Sequence, residues 1–320
     1  MDECKRIALV TRDCAGVNAA IRSVVRTASQ QGIEVLGSLK GYDGLIDDRF
    51  VTMNHRFVSG IITQGGTILK TSRCARFYTS EGQRQAVQTL QKNNIDAVVV
   101  IGGNGSLKGA NVLFNDYDIP VIGIPATIDN DVHGVDLSIG ADTAVNVALD
   151  ALNKIRDTAT SLERIFVVEV MGRKCGWIAL QVALAGGCEE VLIPERQYTV
   201  DHMVKEIQTG VKQGKRSWIV VVAEGAGNAP DVAKKISTST GLETRVTVLG
   251  HIQRGGHPTA VDRVLATRLG NYAIRLLKDG KNGVYVHQND GKQGYLPLAD
   301  VVESKSLDLS DYYSLLKQLT

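Results

Sequence analysis

The chain has 320 residues, 43% of them hydrophobic, with 36 basic against 34 acidic side chains and a formal net charge of +2. That is enough apolar material for one large or two medium cores, while near-neutral, interspersed charge excludes a nucleic-acid stripe and a polybasic membrane patch. No apolar run reaches the ~20 residues that span a bilayer, no leader precedes the first strand, and the five cysteines lack metal-ligand spacing, so a reduced, cytoplasmic protein without structural disulfide or zinc is expected.

In chain order, short apolar runs predict strands at Arg6 to Thr11, Glu34 to Leu39, Ala97 to Ile101, Pro120 to Ile124, Ile165 to Val170, Val191 to Ile193, Trp218 to Ala223 and Arg245 to Leu249. Segments of helical period separate them, which predicts an α/β protein with mainly parallel sheets flanked by helices. Several runs end in glycine or acid just before a helix, where open α/β sheets bind ligands. The first, "LVTRDCAGVNAAIR" (Leu9 to Arg22), has the strand–turn–helix form of a phosphate turn. Yet Arg12, Asp13 and Cys14 fill it, with only Gly16 behind them.

The second such turn, "IGGNGSLKGA", places Gly102, Gly103, Gly105 and Ser106 where backbone amides can approach an anion; the plainer reading is a glycine turn for tight packing. Asn104 stands there with a neutral oxygen where a hard cation favours a carboxylate. In "IPATIDNDVHG", Asp129 and Asp131 follow a buried strand beside Thr127 and Asn130. One carboxylate can serve as a base and the other as its orienting partner, or the stretch is an Asx-turn. Arg164 and Arg173 in "ERIFVVEVMGRKCG", and Arg245, His251 and Arg254 in "ETRVTVLGHIQRGGHP", lie near strand ends. Such a cluster suits a phosphorylated metabolite, although a single arginine is more often a solvated charge. Arg22 and Arg26 are four apart on one helix and repel unless an anion or acid intervenes.

Taken together, "GGTILKTSR", "GGNGS", "TIDND", "VVEVMGR", "AGGCEE" and "TVLGHIQRGGHPTAVDR", in this order, resemble the bacterial ATP-type 6-phosphofructokinase family along essentially the whole chain. The resemblance implies two α/β domains, placed at 1–140 with 256–303 and at 141–255 with 304–320. It also implies a tetramer, fructose 6-phosphate as acceptor and Mg-ATP as donor. Asp129 matches the general base for the sugar hydroxyl, with Thr127, Asp131 and Arg173 completing the catalytic set. Met171, Gly172, Arg173, Glu224, His251 and Arg254 match the sugar-phosphate contacts, and Arg164 and Arg245 match the arginines that reach the 6-phosphate from a neighbouring subunit. Arg22, Arg26, Arg56, Arg156, Glu189 and Lys215 match the effector site for ADP or phosphoenolpyruvate, where Gln213 replaces a lysine.

The donor side departs from the family pattern. The family's "TSGGDAPG" turn reads "TRDCAG" here, two residues shorter; Asn104 replaces the magnesium-coordinating aspartate, Lys70 a glycine, and Cys74 and Tyr78 an aromatic and an arginine. Tyr42, Arg73, Gly105 and Ser106 remain as nucleotide-binding positions. Because phosphoryl transfer is catalysed by positioning and electrostatics, these changes predict a subunit with intact sugar and effector sites and an impaired Mg-ATP site. Its expected role is a regulatory or non-catalytic subunit beside a catalytic phosphofructokinase paralogue. The alternative is an active ATP-dependent 6-phosphofructokinase, requiring Mg2+. A free-standing sugar-phosphate sensor is a third reading. A pyrophosphate-dependent enzyme fits less well, since Gly105 follows Asn104 and Ala126 holds that class's lysine position.

Overall fold

The computed structural model describes residues 4–196, 200–302 and 310–319. The chain divides into two compact units, Met1–Thr143 with Arg254–Lys305, and Ala144–Gln253 with Ser306–Thr320. The seams expected from sequence were 140/141, 255/256 and 303/304, the last of which lies outside the described residues.

The strands are β1 (Arg6–Thr11), β2 (Glu34–Ser38), β3 (Phe50–Met53), β4 (Ala97–Gly102), β5 (Val121–Pro125), β6 (Ile165–Val170), β7 (Glu190–Leu192), β8 (Trp218–Ala223), β9 (Thr244–Val248), β10 (Val284–Asn289) and β11 (Lys292–Pro297). The helices are α1 (Val17–Gln30), α2 (Tyr42–Ile46), α3 (Ser80–Lys92), α4 (Asn104–Tyr117), α5 (Ala141–Leu162), α6 (Trp177–Ala185), α7 (Val200–Lys212), α8 (Ala229–Thr240), α9 (Ala260–Lys278) and α10 (Ser310–Leu319).

In the first unit seven strands form one sheet in the order β11-β10-β5-β4-β1-β2-β3. Its centre is parallel, and β4 is buried along its whole length, as expected for β-branched runs covered on both faces. Two antiparallel edges went unread in the sequence. Strand β3 pairs antiparallel with β2, and its four residues are too few to show an alternation. Strands β10 and β11 form a hairpin closed by Asp290 and Gly291 at φ 48 and 75, the two left-handed residues of a type I′ turn. The Asp-Gly pair was the available signal.

Helices α5 and α9 cap one another. Asp262 of α9, fully buried, accepts from Gly140 N and Thr143 N, each at 2.8 Å, and from Thr143 Oγ1 at 2.5 Å. It thereby satisfies the orphan amides at the start of α5. Thr259 caps α9 through Asp262 N and donates its hydroxyl to Asp142 at 2.6 Å. These contacts assign the aspartate of "PTAVDR" a structural task.

Lys70 stands in the left-handed region at φ 59 with its side chain exposed. A side chain there costs roughly 1–2 kcal/mol per residue, partly offset by the lower entropy of the unfolded lysine relative to glycine. Lys70→Gly should therefore raise stability by about 0.5–1 kcal/mol, read as a higher urea midpoint; an unchanged midpoint would contradict that strain.

The second unit holds a four-stranded parallel sheet in the order β7-β8-β6-β9. Strand β8, "WIVVVA", is buried throughout and joins Met203, Ile207, Val232 and Ile236 in one apolar cluster. Helix α10 is fastened by charge: Lys317 Nζ lies 2.6 Å from Glu190 Oε1 and also pairs with Glu206, while the Arg196 guanidinium lies 3.8 Å over the Tyr313 ring.

Candidate functional site

In the first unit the turn from β1 to α1 is Arg12–Gly16. Arg12 N donates to Ile101 O at 2.9 Å, and the Arg12 guanidinium donates to Ser72 O at 2.5 Å and Thr71 Oγ1 at 3.3 Å. Cys14 is buried and its thiol donates to Ile139 O at 3.2 Å; burial, with the nearby Asp262 charge, pushes that thiol up. Asp13 is exposed. The turn is thus built from side chains that fix it to neighbouring segments, in place of open glycine backbone.

The neighbouring turn leads from β4 through Gly103 into α4. Asn104, its first helical residue, donates from Nδ2 to Asp131 O at 3.0 Å, and its buried Oδ1 receives no hydrogen bond among the described residues. Ser106 is buried and Gly105 exposed. Tyr42 is buried, its hydroxyl donating to Ser106 O at 2.7 Å and its ring stacked on Phe77 with centroids 4.1 Å apart. It acts there as packing beneath the α4 turn. Arg73 and Tyr78 are exposed, Tyr78 at 86%.

Beyond β5 the loop of Thr127, Asp129 and Asp131 is held from within. Asn130, at φ 51, accepts from Ser138 N at 2.9 Å and donates to Asp136 O at 3.0 Å. Ser138 Oγ donates to Thr127 O at 2.7 Å, and Thr127 Oγ1 accepts from Asp129 N at 3.3 Å. The loop-fixing role therefore falls to Asn130, between the two aspartates. Asp129 is only 3% exposed, a fixed and largely desolvated carboxylate of the kind that suits a base.

In the second unit, β6 is followed by Met171-Gly172-Arg173. Glu224 Oε1 accepts from Arg173 N at 2.7 Å and Gly172 N at 3.2 Å, and Gln253 Oε1 accepts from Met171 N at 2.8 Å. Gln253 is fully buried and also donates to Ala144 O at 3.4 Å. Sequence reasoning missed it, because within "GHIQRGG" it looks like one more loop polar residue. Glu243 was missed as well. Its carboxylate lies 2.6 Å from Arg164 Nε and also pairs with Arg245, so the two arginines matched to a 6-phosphate converge on one acid. Those arginines hold the Glu243 carboxyl below its ordinary range. His251 is exposed; Arg254, in the first unit, is half-buried.

The residues matched to an effector fall in both units. Arg22 and Arg26 lie half-buried on α1, and Arg56 is exposed. In the second unit Arg156 donates to the carbonyls of Gly186 and, at 2.9 Å, Gly187, while Glu189 pairs with Lys215 at 3.2 Å and accepts from Ile219 N at 2.7 Å. These three side chains gather around the Gly186–Glu189 turn. Gln213 is exposed.

A sequence profile described as "Phosphofructokinase" matches residues 6–277. The chain belongs to the phosphofructokinase family. Among phosphofructokinases, a Halalkalibacterium halodurans protein named ATP-dependent 6-phosphofructokinase is 49% identical over 319 residues, 99% of each chain. One of the same name from Clostridioides difficile is 48% identical over 318 residues, again 99% of each. These matches place the chain in the bacterial ATP-type branch. The Pichia pastoris phosphofructokinase structure in the T-state superposes with a TM-score of 0.89 at 34% identity, over 100% of this chain and 38% of that one. The Saccharomyces cerevisiae structure gives 0.87 at 34%, over 98% of this chain and 47% of that one. This chain therefore spans less than half of either yeast chain. Among the described residues no helix is long and apolar enough to cross a membrane.

Proposed function

We propose that this chain is a phosphofructokinase subunit that retains the sugar-phosphate and effector machinery while its Mg-ATP side is impaired. It serves as a regulatory or non-catalytic cytoplasmic subunit in a hetero-oligomer with a catalytic phosphofructokinase. The observation that carries this reading is Asn104. Its amide nitrogen is committed to Asp131 O, and only a neutral oxygen is left where the family presents a magnesium carboxylate. Phosphofructokinases are generally Mg2+-dependent, and Mg2+ is ordinarily held by one or two carboxylates together with phosphate oxygens and water. Asn104 does not fit that requirement.

On the acceptor side the residues support sugar-phosphate binding. Glu224 and Gln253 fix the backbone of Met171–Arg173. Asp129 in its rigid loop is the group that would take the proton of a sugar hydroxyl, and Thr127 and Asp131 belong to that loop. Arg173, His251, Arg254, Arg164 and Arg245 supply the positive charge a sugar phosphate requires. Arg22, Arg26, Arg56, Arg156, Glu189 and Lys215 are assigned to an ADP-type or phosphoenolpyruvate-type effector.

A second reading is an active ATP-dependent 6-phosphofructokinase, favoured by the retention of Asp129. The deciding assay is steady-state turnover of fructose 6-phosphate with Mg-ATP, alone and mixed with the catalytic phosphofructokinase of the same cell. Silence alone with an altered substrate or effector response in the mixture is the expected result. Robust turnover alone, abolished by Asp129→Ala, would establish the second reading.

A further inference from the structure

The side chain of Arg12 crosses the turn where the donor phosphates of the family are held. Its stem passes the end of β4: a Cβ built on Gly102 would stand 3.0 Å from Arg12 Cγ. Its head reaches the segment before Arg73, donating to Ser72 O at 2.5 Å and Thr71 Oγ1 at 3.3 Å. The backbone amide of Arg12 is meanwhile bound to Ile101 O at 2.9 Å. One residue thus ties together the exits of β1 and β4 and the Thr71–Arg73 segment, all three of which the family resemblance assigns to the nucleotide. A side chain at Gly102 would meet Ser106 Oγ first, at 2.6 Å, and then the Arg12 stem, so glycine there lets both pack against the end of β4.

We propose that Arg12 is an intramolecular latch that excludes the nucleotide triphosphate from this turn, so that it, more than the loss of any single ligand, sets the donor affinity of the chain. The guanidinium is held by the protein's own carbonyl and hydroxyl oxygens. A triphosphate entering between the α4 turn and Ser72 must break that contact and displace the stem. A charged donor held to a carbonyl is among the stronger neutral-partner hydrogen bonds, and it is lost without replacement unless the guanidinium re-forms it on the ligand. The inference deepens the impaired-nucleotide reading and rests on it.

The test is calorimetric titration of Mg-ATP into the full chain, comparing wild type with Arg12→Ala, Arg12→Gly and Thr71→Val. Release of the latch predicts at least tenfold tighter binding for Arg12→Ala and Arg12→Gly, and a gain of a few-fold for Thr71→Val, which loses only the longer contact. Arg12→Ala keeps the turn's backbone preference, and Thr71→Val leaves Arg12 itself in place, so the comparison survives if the glycine variant folds poorly. Equal or weaker binding in Arg12→Ala would overturn the latch and identify Arg12 as a phosphate ligand or a bystander. Tight binding by the wild type would instead defeat the impaired-site reading, while the ratio between wild type and variant still decides the role of Arg12.

Discussion

Asp262→Ala is expected to destabilise the protein by roughly 3 kcal/mol or more, because one fully buried carboxylate satisfies three donors at the start of α5. Removing it strands Gly140 N and Thr143 N in a buried setting, and each such unpaired group costs about 1–3 kcal/mol. Burial raises the Asp262 carboxyl above its ordinary value despite these hydrogen bonds, so the cost lies in the lost acceptors and not in the lost charge. Asp262→Asn keeps one acceptor oxygen but turns an NH2 donor toward the other donors, so it should recover only part of the loss. Urea midpoints for wild type and both variants check the ordering; a shift in Asp262→Ala worth less than ~0.5 kcal/mol would show that water or a neighbour replaces the cap. The effect is on stability first, so loss of any activity in this variant should follow its unfolding curve.

The second large effect is one of pH. Glu190 is 3% exposed, and burial, with the neighbouring Glu206 carboxylate favouring the protonated form, pushes its carboxyl from 4.5 up to about 8. Between those two values the folded chain retains a proton that the unfolded chain has released. Folding stability must therefore fall as pH rises through this window and level off above about 8. The change across the whole window is on the order of 5 kcal/mol. Glu190→Gln should flatten the profile, because a neutral side chain keeps a hydrogen-bond partner for Lys317 without titrating. Glu206→Gln should shift the fall to lower pH, since the adjacent carboxylate that raises Glu190 is then gone. Thermal midpoints measured from pH 5 to 8 test this, and parallel profiles for wild type and Glu190→Gln would contradict it.

These two residues also show where sequence reading stops. Buried strands such as "AVVVIG" and "WIVVVA" announce themselves, because an unbroken β-branched run of that length has few other uses. Asp262 gives no such sign. Its partners Gly140 and Thr143 are 122 and 119 positions away, so the cap exists only once α5 and α9 are side by side. Gln253 and Glu243 were hidden for the same reason: each joins segments that the sheet, and not the local sequence, brings together. The motifs of the candidate site were legible because glycine, aspartate and arginine at strand ends follow a local rule. What those side chains do in place was not. Tyr42, matched to the nucleotide, is buried with its hydroxyl on Ser106 O, and Arg12, which fills a turn the family makes from glycine, reaches Ser72 O. Asn130 stood between two candidate acids and takes the turn-fixing role.

The proposed divergence in competence between the acceptor and donor sides is open to direct measurement. It is tested most directly by two calorimetric titrations of the purified wild-type chain, one with fructose 6-phosphate and one with Mg-ATP. Saturable binding of the sugar phosphate is expected, with Mg-ATP binding at least a hundredfold weaker, a difference of about 2.7 kcal/mol or more. Comparable affinity for both ligands would contradict it and return the chain to the ordinary catalytic members of its family.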